Sequence, residues 1–135
     1  MKNLVCIIFI LVWPILLSAQ DKKAVANKLK SVTVQEQKYE KGVAGKAMIE
    51  SYTLYDQAGN IIEEIQYKEG KVDKHLTCKY DAANHKIQEI ELDPSGKKIK
   101  ITEYKYNSNG LRTEKIVYNG NNQVISKKTY KYEVY

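Results

Sequence analysis

Beyond residue 19 the chain contains no tryptophan and no phenylalanine, and its one cysteine there is Cys78. A single thiol cannot close an intramolecular disulfide, so no covalent staple of that kind can hold the fold. Only two histidines occur, His75 and His85, with no Cys or His partner at metal-ligand spacing, which argues against a zinc site. No Gly-x-Ser-x-Gly elbow is present, and Cys78 lies three residues after His75, an odd offset that places the two on opposite faces of a strand. A thiol nucleophile with a histidine base is therefore disfavoured. No block of like charge appears either. Twenty-two basic and 16 acidic residues are interspersed along the chain, without the clustered basic patch that nucleic-acid binding requires.

Apolar residues are concentrated at the start, where 15 of the first 19 positions are apolar. Lys2 precedes a run from Leu4 to Leu17 broken only by Pro14, and Ser18-Ala19 supplies small residues after it. A 14-residue run reaches about 21 Å as a helix, short of a hydrocarbon core of about 30 Å. Residues 1–19 read as a secretory signal peptide cut between Ala19 and Gln20. Cys6 lies at the wrong end of the run for a lipid anchor. Cleavage removes Lys2 and no acid, leaving a mature charge of +5. The expected destination is the periplasm, the cell surface or the medium, with residues 20–30 as a polar lead-in that is either disordered or a short helix.

What the mature chain does have is tyrosine and an internal repeat. Tyr55-Asp56-Gln57-Ala58-Gly59-Asn60 returns as Tyr80-Asp81-Ala82-Ala83-Asn84-His85 and as Tyr106-Asn107-Ser108-Asn109-Gly110-Leu111, and Tyr132-Glu133 closes the series at spacings of 25, 26 and 26 residues. A second marker, Tyr67, Leu92 and Tyr118, is followed by Gly70, Gly96 and Gly120, and Tyr39 with Gly42 extends it backward. Runs rich in Tyr, Ile, Val and Thr lie between these turns, and no 3.6-residue periodicity is sustained. The spacing predicts eight strands near 31–40, 46–55, 61–68, 72–81, 86–92, 98–107, 111–118 and 123–134. Short connections make sequence neighbours spatial neighbours, so the expected fold is all-β, one antiparallel up-and-down meander over residues 31–135.

Period-2 alternation sets Ile65, Ile90 and Ile116 on one face, with Tyr67, Leu92 and Tyr118 two residues on. The other face is mixed, because Ile62 and Ile87 recur there but Thr113 interrupts them. One moderately apolar face and one mixed face suit an open, twisted sheet or a loosely filled barrel better than a sandwich; eight strands are enough for a small barrel, and the open form is preferred. An outer-membrane barrel needs every second residue of its strands to be apolar. In phase with Tyr135 stand Glu133, Lys131, Thr129 and Lys127, so the last strand fails that requirement.

The recurring Tyr-Asp-x-x-Gly-Asn element resembles the Rhs/YD repeat family. Tyr55-Asp56 with Gly59-Asn60 is the full match, Tyr80-Asp81 keeps its first half, and Tyr106-Asn107 with Gly110 approximates it. The glycine-lysine turns are also similar to MORN-variant repeats of small exported bacterial proteins. The resemblance implies an extended antiparallel structure serving as scaffold or surface-contact module. The large members enclose cargo, which about four repeats cannot do.

The carboxylates are the remaining catalytic option. Glu63 and Glu114 share a column with Gln88, and Glu64 with Glu89 forms another. Positions repeated once per unit are better explained as partners of lysine across strands than as a hydrolytic pair. Asp56, Asp81 and Asn107 lack the spacing of a calcium ladder, and an Asx side chain at the start of a turn bonds its own backbone. Asp56, Gly59, Asn60, Gly70, Asp81, Gly96, Asn107, Gly110 and Gly120 are thus expected to shape turns. No catalytic residue, metal or cofactor is assigned. The candidate ligand contacts are Tyr55, Tyr80, Tyr104, Tyr106, Tyr130 and Tyr132, whose rings could form a stacking platform or else the core itself. The expectation is a non-enzymatic exported repeat protein acting as a structural or protein-interaction module of the cell envelope, with a carbohydrate-binding surface protein using the tyrosine face as the alternative.

Overall fold

The computed structural model describes Lys22 and residues 24–135. The signal peptide expected over 1–19, with Cys6 and the cut after Ala19, lies outside the described residues. Ten strands follow: β1 (Ser31–Glu36), β2 (Tyr39–Glu40), β3 (Val43–Ala44), β4 (Met48–Tyr55), β5 (Ile61–Lys68), β6 (Lys71–Tyr80), β7 (Lys86–Leu92), β8 (Lys98–Tyr106), β9 (Arg112–Asn119) and β10 (Val124–Thr129). Eight of them form one antiparallel sheet in the order β1-β4-β5-β6-β7-β8-β9-β10, and β2 pairs with β3 in a separate small hairpin. The sheet is an open meander whose ends, β1 and β10, do not meet. The first expected strand, 31–40, ends at Glu36, because Lys41 and Gly42 both have positive φ (48° and 81°) and close the β2–β3 hairpin instead. The lead-in contains one helical turn over 24–26, closed by the Leu29 amide donating to the Ala24 carbonyl at 2.9 Å.

A single layer has no interior. Among the described residues only Ala24, Tyr55, Gly59, Leu76, Ile101 and Thr102 are buried, and nearly all the central strand positions are half-buried. Stability must come from backbone ladders and cross-strand side-chain pairs on both faces.

Five connections repeat one local structure. Asp56, Asp81, Asp93, Asn107 and Asn119 each accept on Oδ1 the amide of the residue four positions on, at 2.9–3.0 Å. The third residue after each has positive φ: Gly59 80°, Asn84 64°, Gly96 85°, Gly110 76° and Asn122 62°. Asparagine tolerates this left-handed conformation, so Asn84, which breaks the repeat in sequence, preserves it in shape. The glycines that follow the second marker do not all belong to one kind of turn. Of the sheet connections at the far end, Glu69-Gly70 alone is a two-residue turn, with φ of 52° and 75°. Gly96 and Gly120 instead belong to Asx turns, because Asp93 and Asn119 supply the side-chain acceptor. Gly120 is needed for another reason, since a Cβ there would collide with the Lys98 carbonyl.

At the near end each Asx turn carries an extra residue. Leu54 faces Glu63 while Tyr55 faces Ile61, Lys79 faces Gln88 while Tyr80 faces Lys86, and Lys105 faces Glu114 while Tyr106 faces Arg112. The residues left over are Ile62, Ile87 and Thr113, so the irregular column on the mixed face is a series of bulges. The apolar columns are staggered as well. Ile65 is level with His75 and Leu92, and Ile90 with Ile101 and Tyr118, so successive repeats are displaced by two residues along the strands.

Candidate functional site

The six candidate tyrosines gather at the near end of the sheet, on or beside its mixed face. The bulges place each motif tyrosine within reach of the previous repeat. The Tyr80 hydroxyl donates to the Ile61 carbonyl at 3.0 Å, Tyr106 to the Lys86 carbonyl at 2.8 Å, and Tyr132 to the Arg112 carbonyl at 2.7 Å. Ile61, Lys86 and Arg112 are the residues paired with Tyr55, Tyr80 and Tyr106. Every tyrosine in this ladder therefore bonds to the strand opposite the tyrosine before it, which explains the period without appeal to a ligand.

Tyr55 starts the series and is buried, 8% exposed. Its amide donates to the Lys30 carbonyl at 2.9 Å, and its ring lines an open cleft of about 660 Å³ with Ala24, Val25, Leu29 and Asp56. Tyr130 is tied by its amide to the Thr113 carbonyl at 2.9 Å.

Tyr104 stands outside the ladder. The guanidinium carbon of Arg112 lies 4.4 Å from its ring centre and 5.9 Å from that of Tyr106, and Lys115 Nζ is 5.9 Å from Tyr104. These are cation–π distances. Burial, reinforced by the Glu89 charge, raises the Tyr104 phenol above its ordinary range. Arg112 is the chain's single arginine. Burial opposes its charge, but the neighbouring Tyr106 and Tyr130 hydroxyls favour it and outweigh burial, so its pKa is raised. Beside this group Lys86 pairs with Glu89 at 3.1 Å. Burial works against the Lys86 charge, yet Cys78, Tyr80 and Glu89 together raise its pKa. The neighbouring Cys78 thiol is pushed up by burial, with Lys86 pulling the other way.

The turns themselves form a row. Asn60 Nδ2 bonds Asp56 Oδ2 at 3.0 Å and Asn84 Oδ1 at 2.9 Å, linking two consecutive turns. His85 lies 3.1 Å from Asp81 Oδ2 and stacks on Tyr106 at 4.7 Å between ring centres. None of Lys86, His85, Glu89 and Arg112 was singled out from sequence as part of a site. Arg112 had a readable signal, one arginine among many lysines, six residues after a motif tyrosine.

The opposite face pairs the carboxylates. Glu63 meets His75 at 2.8 Å, Glu114 meets Lys105 at 2.8 Å and Lys127 at 2.9 Å, and Tyr118 donates to Glu103 at 3.1 Å. The two lysine bonds lower the Glu114 pKa. Among the described residues no three His, Cys, Asp or Glu side chains come together as a metal site. No helix among them is long and apolar enough to cross a membrane.

The edges of the sheet differ from one another. β10 carries Lys127 and Lys128 and a register shift between Val124 and Ser126. β1 reads Ser-Val-Thr-Val-Gln-Glu, with no lysine or proline, and pairs on one side only. Because the Tyr55 amide bonds the Lys30 carbonyl, the alternation of an antiparallel ladder makes Val32 and Val34 exchange bonds with β4. Ser31, Thr33 and Gln35 then turn their backbone donors and acceptors outward. No protein-family model matches this chain, and no curated protein matches it in sequence.

Proposed function

We propose that this chain is an exported, non-enzymatic repeat module of the cell envelope that binds a protein by strand addition to β1. The observation that carries this reading is the contrast between the two edges. Natural sheets protect edges with lysines, bulges or prolines, and β10 has the first two. β1 has none of these in its own strand and offers a flat row of outward peptide groups, the template that an added strand recognises. The tyrosine face suits this role as the element that stiffens the sheet and holds the edge in place. A sugar platform on the tyrosines is less well supported, since three hydroxyls are spent on backbone carbonyls and Arg112 lies over Tyr104.

The test is retention from an envelope extract on the tagged full chain. Thr33→Pro removes an outward N–H without breaking an internal ladder bond. A stoichiometric protein held by the parent and by Tyr104→Ala, but lost with Thr33→Pro, is the expected result. Carbohydrate without protein, lost with Tyr104→Ala, would transfer the function to the tyrosine face.

A further inference from the structure

Resting on the edge reading above, we propose that the protein seated on β1 is a second copy of this chain, paired antiparallel across a two-fold axis at Thr33. Self-pairing about Thr33 sets Lys30 opposite the partner's Glu36, Ser31 opposite the partner's Gln35, and Val32 opposite the partner's Val34.

Three independent features agree on this centre. The first is hydrogen-bond phase: Ser31, Thr33 and Gln35 face outward, so Thr33 against its own copy is a bonded pair, as are the two Ser31–Gln35 pairs. The register shift between Val34 and Gln35 leaves the extra residue, Glu50, on β4, so β1 is itself a regular strand. The second feature is charge. Lys30 is exposed, and the Glu36 carboxylate is 54% exposed with only the long, solvated Lys38 contact at 3.7 Å beside it, so the two-fold brings two opposite Lys30–Glu36 pairs to the ends of the seam. The third is apolar cover. Val34 is 42% exposed in the single chain, and Val32 and Val34 project to the same face, where the non-bonded pairing brings side chains closest. At the other edge, two β10 strands would bring together four lysines with no acid in either strand, and Lys127 is already engaged by Glu114 of β9, so no opposite-charge pairs form across that seam. The two-fold also closes the assembly, giving one sheet with each β10 outermost.

The experiment measures mass by light scattering on the full chain, expressed with its own N-terminal segment so that the cell performs any cleavage. The expected species has the mass of two chains and dissociates on dilution. Lys30→Glu or Glu36→Lys turns two attractive pairs repulsive and weakens the dimer roughly tenfold. The double variant restores opposite pairs and returns the affinity to within about threefold of the parent. That rescue is a result that general damage to the strand would not give. Thr33→Pro abolishes the dimer while far-UV circular dichroism keeps the strand signal. A chain of monomer mass at about 0.5 mM, a dimer indifferent to both charge reversals, or oligomers that grow without limit each overturns the proposal. If the chain is monomeric yet retains an envelope protein in a Thr33→Pro-sensitive way, the edge reading survives and self-pairing fails. If it does neither, both fail.

Discussion

Replacing Tyr106 with phenylalanine deletes one oxygen and leaves the ring that stacks on His85 and faces Arg112. The deleted hydroxyl donates to the Lys86 carbonyl at 2.8 Å between half-buried partners. A net hydrogen bond in such a setting contributes about 1 kcal/mol, and the abandoned carbonyl adds to the loss, so the expected destabilisation is about 1–1.5 kcal/mol. Tyr132 makes the same bond at 2.7 Å but is 48% exposed, so water can replace the hydroxyl. Its phenylalanine variant should cost about 0.5 kcal/mol or less. Urea unfolding followed by far-UV circular dichroism reads the difference. With a slope of about 1.5 kcal/mol/M, Tyr106→Phe lowers the midpoint by about 0.7–1 M at unchanged slope, and Tyr132→Phe by about 0.3 M. Tyr80→Phe, whose hydroxyl bonds the Ile61 carbonyl at 3.0 Å, should group with Tyr106→Phe. A Tyr106→Phe midpoint within about 0.1 M of the parent, or a loss smaller than that of Tyr132→Phe, would refute the reading that these hydroxyls fasten one repeat to the next.

Two further outcomes test the turns. Gly96 and Gly110 both hold positive φ, at 85° and 76°, but a Cβ at Gly96 meets open space whereas one at Gly110 meets His85 Nε2 at 2.9 Å. Gly96→Ala should therefore cost about 1 kcal/mol of backbone strain, and Gly110→Ala about 2 kcal/mol in the same urea experiment, as the His85–Tyr106 stack is also displaced. Equal losses would show that the stack contributes nothing. Hydrogen bonds lower the folded pKa values of Asp81, Asp93 and Glu114 below 3.8, 3.8 and 4.5. A depressed carboxyl stabilises the fold above its unfolded pKa, and that contribution is lost as pH falls through the folded value. The urea midpoint should thus be flat above about pH 5 and fall below it. Asp81→Asn keeps the turn, as Asn107 and Asn119 do in theirs, and should make the acid fall shallower, and an unchanged fall would contradict the assignment.

The strand positions were legible in the sequence because the punctuation is local. An Asx residue, a left-handed residue three places on and a tyrosine before them specify a turn through bonds spanning five residues, and Asp56–Asn60 carries all of them within itself. The turns at Asp93 and Asn119 are less legible, because Gly96 and Gly120 fit a glycine turn by sequence and the Asx acceptor shows only in the structure. Tyr67, Leu92 and Tyr118 were rightly placed on one face, yet their levels were not legible. Bulges at Ile62, Ile87 and Thr113 at one end are matched by bulges at Asp73, Ile99 and Ile125 at the other, and the two-residue displacement follows from the pairing of whole strands, which is visible only when they are laid side by side.

By itself, then, the sequence determined a tyrosine-rich antiparallel meander with a 26-residue period, since alternation and turn chemistry act within a few residues. Only the tertiary structure decided that Tyr80, Tyr106 and Tyr132 reach back to Ile61, Lys86 and Arg112, and that Arg112 covers Tyr104. It also decided that β1 and β10 stay apart and that β1 lies at an edge, whereas the lysines of the last strand were legible in the sequence. The tyrosine bonds join residues about 20 positions apart, the Arg112–Tyr104 contact depends on the register of two neighbouring strands, and the edges are properties of the two ends of the sheet, so none of them can be read from one strand alone.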